Sequence, residues 1–163
     1  MIEFKYLNKS EKNTFLPFLF DIFYANMSGH LQSSKSYEQE RDEWLSEVSP
    51  ALDKEPRQVI LCYSEGELAG FLIYYVREDM LMIEEVQLKE EFQRTRAFYL
   101  LCRHLMRALP ENIRTVEAYA HKSNQNSQNL MLALGMECIG AIESLGIVHL
   151  RGLAEKIKER FLR

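Results

Sequence analysis

No apolar run in this chain approaches the length needed to cross a bilayer, so no membrane-spanning segment is expected. The opening residues Met1-Ile2-Glu3-Phe4-Lys5 lack a basic stretch followed by an apolar one, so no secretory signal is expected and a cytoplasmic location is. Cysteine is scarce: Cys62, Cys102 and Cys138 are odd in number and far apart. They form neither a metal-ligand pattern nor a disulfide framework, and are expected to be buried, reduced thiols. No excess of positive charge is present. The formal net charge is −4 and the pI is near 5.6, which disfavours nonspecific nucleic-acid binding. Repeats, low-complexity tracts and long linkers are missing too. What remains is ordinary globular composition, 47% hydrophobic and 27% charged over 163 residues, enough for one domain over 1–163 with a sizeable core.

Periodicity supplies the elements. Ile2–Leu7 alternates like a strand. Phe15, Leu16, Phe18, Leu19, Ile22 and Phe23 follow at helical spacing from about Thr14, with Pro17 in the first turn and a break at Ser28-Gly29-His30. Leu31–Lys35 reads as a loop. Ser36 and Gln39 form a capping box that opens a second helix, with Pro50 and Pro56 bracketing its end. Gln58–Tyr63, Leu68–Val76 and Met80–Leu88 are strands joined by close turns, an antiparallel meander. A helix over Arg96–Leu109 stops at Pro110. Then come a strand Thr115–His121, a helix Ser127–Leu134 closed by Gly135, and strands Met136–Ile142 and Ser144–Leu150. A charged helix over 152–162 carries the narrow stripe Leu153, Ile157 and Phe161, to pack on the surface or on a partner, including a second copy.

The expected fold is α/β (α+β): a mixed, mostly antiparallel sheet of about seven strands flanked by helices. A helix between strands ending at Leu88 and beginning at Thr115 calls for a right-handed crossover, hence one parallel pair. That pair is expected to splay at Leu88 and Asn124 and leave a ligand crevice.

Ile83–Phe98 within this element order resembles the GNAT acetyltransferase superfamily, whose loop reads Gln/Arg-x-x-Gly-x-Gly/Ala. Gln93 matches its first position; Arg96 and Phe98 stand in place of the two glycines. The stretch Asn124–Met136 is similar to a second family segment, matching at Asn124, Ser127, Leu130 and Gly135. The resemblance implies acetyl-coenzyme A as acyl donor and no metal. It implies a pyrophosphate cradle of loop and helix amides at Gln93, Arg94, Thr95, Arg96, Ala97, Phe98 and Tyr99, with Arg94 and Arg96 adding guanidinium contacts. It also implies pantetheine contacts at Gln87 and Leu88, and further contacts at Asn124, Ser127 and Met131.

The acceptor implied is a small-molecule or peptide amine, with no nucleic acid or membrane as partner. Acids at Glu38, Glu40, Asp42, Glu43 and Glu47 suit a cationic acceptor, or a solvated helix face. A base is needed to take the ammonium proton, and Glu84 or Glu85, on opposite faces of one strand, is placed for it. The family's proton-donating tyrosine falls at Met131, so His121 and Tyr119 are substitute acids. Two other classes stay open: acyl-coenzyme A binding without chemistry, and a protein-interaction module using Phe15–Tyr24 and the terminal helix.

Overall fold

The computed structural model describes residues 1–31, 33–54 and 56–163. Its seven-stranded sheet has the order β1-β2-β3-β4-β5-β7-β6, with strands β1 (Ile2–Tyr6), β2 (Gln58–Ser64), β3 (Glu67–Arg77), β4 (Met80–Leu88), β5 (Thr115–His121), β6 (Glu137–Ile142) and β7 (Ile147–Leu153). β4 and β5 pair in parallel from Met80 with Thr115 to Ile83 with Ala118, while β1–β2, β5–β7 and β6–β7 are antiparallel. The mixed sheet is the expected one. The chain divides into two compact units, Met1–Ile73 with Glu85–Phe98, and Tyr74–Glu84 with Tyr99–Arg163.

In the first unit, a short 3₁₀ turn (Lys9–Glu11), capped by the Asn8 side chain on the Ser10 N–H at 3.1 Å, leads into α1 (Lys12–Leu31). The helix starts two residues before the expected Thr14, so Pro17 lies beyond its first turn. It also runs through Ser28-Gly29-His30. Hydrogen bonds from Asn26 to the end of β4 anchor its last turns, and such tertiary contacts outweigh the intrinsic cost of one glycine. Of the loop expected over Leu31–Lys35, Gln32 lies outside the described residues.

α2 (Tyr37–Lys54) opens on the expected capping box: the Gln39 N–H donates to Ser36 Oγ at 3.2 Å and the Ser36 N–H to Gln39 Oε1 at 2.9 Å. Pro50 lies inside this helix, which ends before Pro56 with the Arg57 guanidinium donating to the Ala51 carbonyl at 3.0 Å. The core joins Leu16, Leu19 and Ile22 of α1 to Leu52 of α2, Val59 and Leu61 of β2, and Phe71 and Ile73 of β3. Between β2 and β3, Glu65 and Gly66 both have positive φ (50° and 80°), the pattern of a type I′ hairpin. After β4 comes a single turn, α3 (Glu90–Gln93), in the stretch read from sequence as a loop.

The second unit holds α4 (Ala97–Ala108) from Tyr99 onward, α5 (Gln125–Ala133) and α6 (Ala154–Leu162). Leu101, Leu105 and Met106 form the buried stripe of α4. Gly135 (φ 100°) closes α5 as expected. A 3₁₀ turn at Glu143–Leu145 delays β7, so it begins three residues later than Ser144 and takes in Leu153, which is 54% exposed. The buried stripe of α6 is therefore Ala154, Ile157 and Phe161. It packs on this unit's own residues, with the Phe161 ring 5.2 Å from that of Tyr99 and Ile157 against Gly152. Cys62 and Cys102 are buried, but Cys138 is exposed: it lies on β6, an edge strand with no buried residue. Among the described residues no helix is long and apolar enough to cross a membrane.

Candidate functional site

In the first unit the carboxyl end of β4 carries a connected polar network. Glu85 and Gln87 share a strand face because side chains alternate. Gln87 is only 8% exposed, so both ends of its amide need partners. Its Nε2 donates to Glu85 Oε1 at 2.5 Å and its Oε1 accepts from Asn26 Nδ2 at 2.8 Å. Asn26 Nδ2 also donates to the Leu88 carbonyl at 2.8 Å. Gln93 closes the set from α3, donating from Nε2 to Asn26 Oδ1 at 2.9 Å and to the Leu88 carbonyl at 3.0 Å. The structure thus brings together Glu85, Gln87, Leu88 and Gln93 of the expected residues. Their hub, Asn26, was missed from the sequence. It sits inside a helix, far from β4 along the chain, with no local signal.

Backbone packing fixes the same strand end. The Lys89 N–H donates to the Ala69 carbonyl at 2.8 Å. Gly70 passes so close that a Cβ built there would lie 2.4 Å from the Gln87 carbonyl oxygen and 2.4 Å from Leu88 Cδ2. Only a residue without a side chain permits this approach.

Beyond Gln93 the loop is short and ordered by Thr95, whose hydroxyl donates to the Phe92 carbonyl at 2.7 Å and accepts from the Ala97 N–H at 3.1 Å. Arg94, Thr95 and Arg96 are exposed, Ala97 is buried and Phe98 half-buried. Neither guanidinium makes a hydrogen bond or ion pair among the described residues. The loop therefore presents two unneutralised cations at the start of α4, whose first-turn amides have no intrahelical acceptor.

A groove of about 650 Å³ opens beside this network. Phe15, Phe18 and Ile22 of α1 form one wall, Tyr63 and Leu68 of the β2–β3 hairpin another, and Lys89–Glu91 the rim, with Asn26 at one end. Burial raises the Tyr63 phenol above its ordinary value. Phe18 is 59% exposed, unusual for a phenylalanine on a long helix.

The second unit holds the other expected residues. Glu84 is exposed on β4. At the end of β5, His121 Nδ1 lies 2.7 Å from Ser123 Oγ and accepts from the Ser123 N–H at 3.2 Å. That contact places the ring proton of the neutral form on Nε2. Asn124 caps α5, its side chain accepting from the half-buried Ser127 at 3.1 Å. Met131 is buried within α5. Tyr99 packs on Phe161, its hydroxyl 3.5 Å from the Phe161 carbonyl.

Sequence reading missed one cluster here. Glu117 is 8% exposed and accepts from His149 Nε2 at 2.7 Å and from Arg151 at 3.1 Å, and Tyr119 stacks on His149 at 4.5 Å between ring centroids. The β5–β7 register sets Glu117 opposite Arg151 and Tyr119 opposite His149. That pairing skips β6, so no short-range pattern announces it. Among the described residues no group of three or more His, Cys, Asp or Glu side chains is placed to hold a metal.

A sequence model of the acetyltransferase (GNAT) family matches residues 16–136. A search of curated proteins finds no significant match. Among solved structures, the PaiA N-acetyltransferase of Thermoplasma acidophilum, in complex with coenzyme A, is similar with a TM-score of 0.71 at 13% identity, over 94% of this chain and 99% of that one. An acetyltransferase from Thermus thermophilus gives 0.72 at 12% identity, over 94% and 97%. The ribosomal-protein-S18-alanine N-acetyltransferase of Escherichia coli gives 0.62 at 17%, over 94% of both chains. At these identities the likeness is one of fold.

Proposed function

Because the chain belongs to the acetyltransferase (GNAT) family, we propose that it transfers the acetyl group of acetyl-coenzyme A to a primary amine of a small molecule or peptide, in a cytoplasm. The observation that carries this reading is the polar-to-cationic sequence of groups at the end of β4: the Glu85–Gln87–Asn26–Gln93 network, followed by exposed Arg94 and Arg96 at the start of α4. Pyrophosphate suits the second part, since two guanidiniums and helix-start amides favour a multiply charged anion. Arg96 and Phe98, in place of the family's glycines, shift the work from backbone amides toward side chains.

In this reading the pantetheine arm lies along Gln87 and Leu88. Glu85 takes a proton from the incoming ammonium, directly or through a water. The neutral nitrogen attacks the thioester carbonyl and forms the carbon–nitrogen bond, the nitrogen gives up its second proton to solvent, the carbon–sulfur bond breaks, and the thiolate leaves and takes up a proton from solvent. The buried Met131, a thioether at the position of the family's tyrosine, favours a second reading in which acyl-coenzyme A is bound without turnover.

Calorimetry with acetyl-coenzyme A tests the common part. The wild type is expected to bind, and Arg94→Glu with Arg96→Glu to weaken binding at least about tenfold by turning attraction into repulsion. Absence of binding by the wild type would remove both readings. Turnover with a panel of primary amines then separates the enzyme from the noncatalytic binder.

A further inference from the structure

We propose that the groove beside α1 is a binding site for an organic ammonium ion with an apolar body, and that this is the acceptor of the reaction. Its role as acceptor site rests on the acetyl-transfer reading; its selectivity for such a ligand does not. The groove has the size of small-molecule sites, which run from about 300 to 1,000 Å³. Its walls give an apolar body somewhere to go, and the 59% exposure of Phe18 leaves a large aromatic face in water that a ligand would cover. Cation attraction to such a face adds to area burial. The neighbouring Tyr63 ring already carries a cation, Lys5 Nζ at 5.2 Å from its centroid.

The groove carries an excess of negative charge. Asp21, Glu67, Glu90 and Glu91 line it against a single described cation, Lys89. Lys89 Nζ lies 3.9 Å from Glu67, and among the described residues no lysine or arginine forms an ion pair with Asp21, Glu90 or Glu91. Asp21 accepts a hydrogen bond from the Tyr37 hydroxyl, which holds that carboxylate at the wall. An anionic or neutral apolar ligand gains nothing from this rim, whereas an ammonium is drawn to it.

Asn26 is both a lining residue and the hub that bonds Gln87 and the Leu88 carbonyl. A ligand nitrogen at that end of the groove lies beside the network that contains Glu85. Asn26 Oδ1 already accepts from Gln93, so recognition of the ammonium falls to the carboxylates and the aromatic wall.

The test uses trimethyl(2-phenylethyl)ammonium, which keeps the charge and has no transferable proton, so binding is read apart from turnover. Its uncharged isostere, with carbon in place of nitrogen, is the control. Calorimetry and amide shift mapping are expected to show the ammonium binding at least tenfold more tightly than the isostere, with perturbations at Phe18, Ile22 and Leu68. Glu90→Gln with Glu91→Gln, and separately Phe18→Ser, are expected to weaken it at least threefold. All three side chains are exposed, so circular dichroism should report an unchanged fold. Equal affinity for ammonium and isostere, no binding of either, or full affinity in both variants would overturn the proposal. If the ammonium binds here but 2-phenylethylamine and the other amines are never acetylated, the transfer reading fails and the acceptor role with it, while the ligand selectivity stands. If amines are acetylated at rates indifferent to both variants, the groove proposal fails and the transfer reading stands.

Discussion

Gly70→Ala puts a single methyl group into the tightest approach around the candidate site. That methyl would lie 2.4 Å from the Gln87 carbonyl oxygen, 2.4 Å from Leu88 Cδ2 and 3.0 Å from Leu88 Cα. Carbon contacts relax at about 3.5–4.0 Å, so one strand must move by roughly 1 Å. The oxygen and Cα belong to backbone, and Leu88 is only 5% exposed, so no side chain can simply swing away. Overpacking of this kind costs about 1–3 kcal/mol. Alanine recovers about 0.5–1 kcal/mol of the chain entropy that glycine loses in a strand. The net loss of about 1–2 kcal/mol lowers Tm by about 2–8 °C for a chain of this size.

If the proposed acetyl transfer holds, activity should fall further than stability, because a shift of about 1 Å at Gln87 and Leu88 would misplace the acyl group at the cost of on the order of a hundredfold in turnover. Differential scanning fluorimetry and steady-state acetylation check the two parts. Gly140→Ala is the control, since a Cβ there meets nothing within 4 Å. A Gly70→Ala protein with unchanged Tm and unchanged kcat would refute the reasoning that this contact sets the strand end.

Glu85→Gln should lower kcat by about 10²–10⁴-fold, the usual loss for a general base, with acetyl-coenzyme A affinity kept; equal rates in the wild type and the variant would remove Glu85 from the mechanism. Stability should fall at alkaline pH, because burial raises the Cys62 thiol from 9.0 to about 11 and the Cys102 thiol to about 12. The folded state then keeps protons that the unfolded chain releases, so this contribution is complete below about pH 9 and is lost on rising through pH 11–12. Urea midpoints measured from pH 8 to pH 12 check it, and Cys102→Ala should flatten the decline.

Features set by neighbours in sequence were legible. The capping box of Ser36 and Gln39, the hairpin at Glu65-Gly66 and the closing Gly135 follow from local hydrogen bonding and φ preferences. The crossover helix between β4 and β5 required a parallel pair, and the pair is there. The helix break at Gly29 was read wrongly because tertiary contacts outweighed local preferences: Asn26 reaches the end of β4. The end of α2 falls between Pro50 and Pro56 as read. Asn26 in the site network and His149 against Glu117 were invisible for a related reason. Each meets a partner more than thirty residues away, and no periodicity records such meetings.

Only Cys138 of the three cysteines lies exposed. Thiol-directed reagents attack the thiolate, so at mild pH the buried, proton-holding Cys62 and Cys102 stay unlabelled while Cys138 reacts. The native chain therefore offers one attachment point for a fluorophore or spin probe, with one label expected per molecule and no engineering. Because β6 pairs only with β7 and forms the sheet edge, the label sits outside the packed core, where it can report on tumbling and encounter without disturbing what it measures.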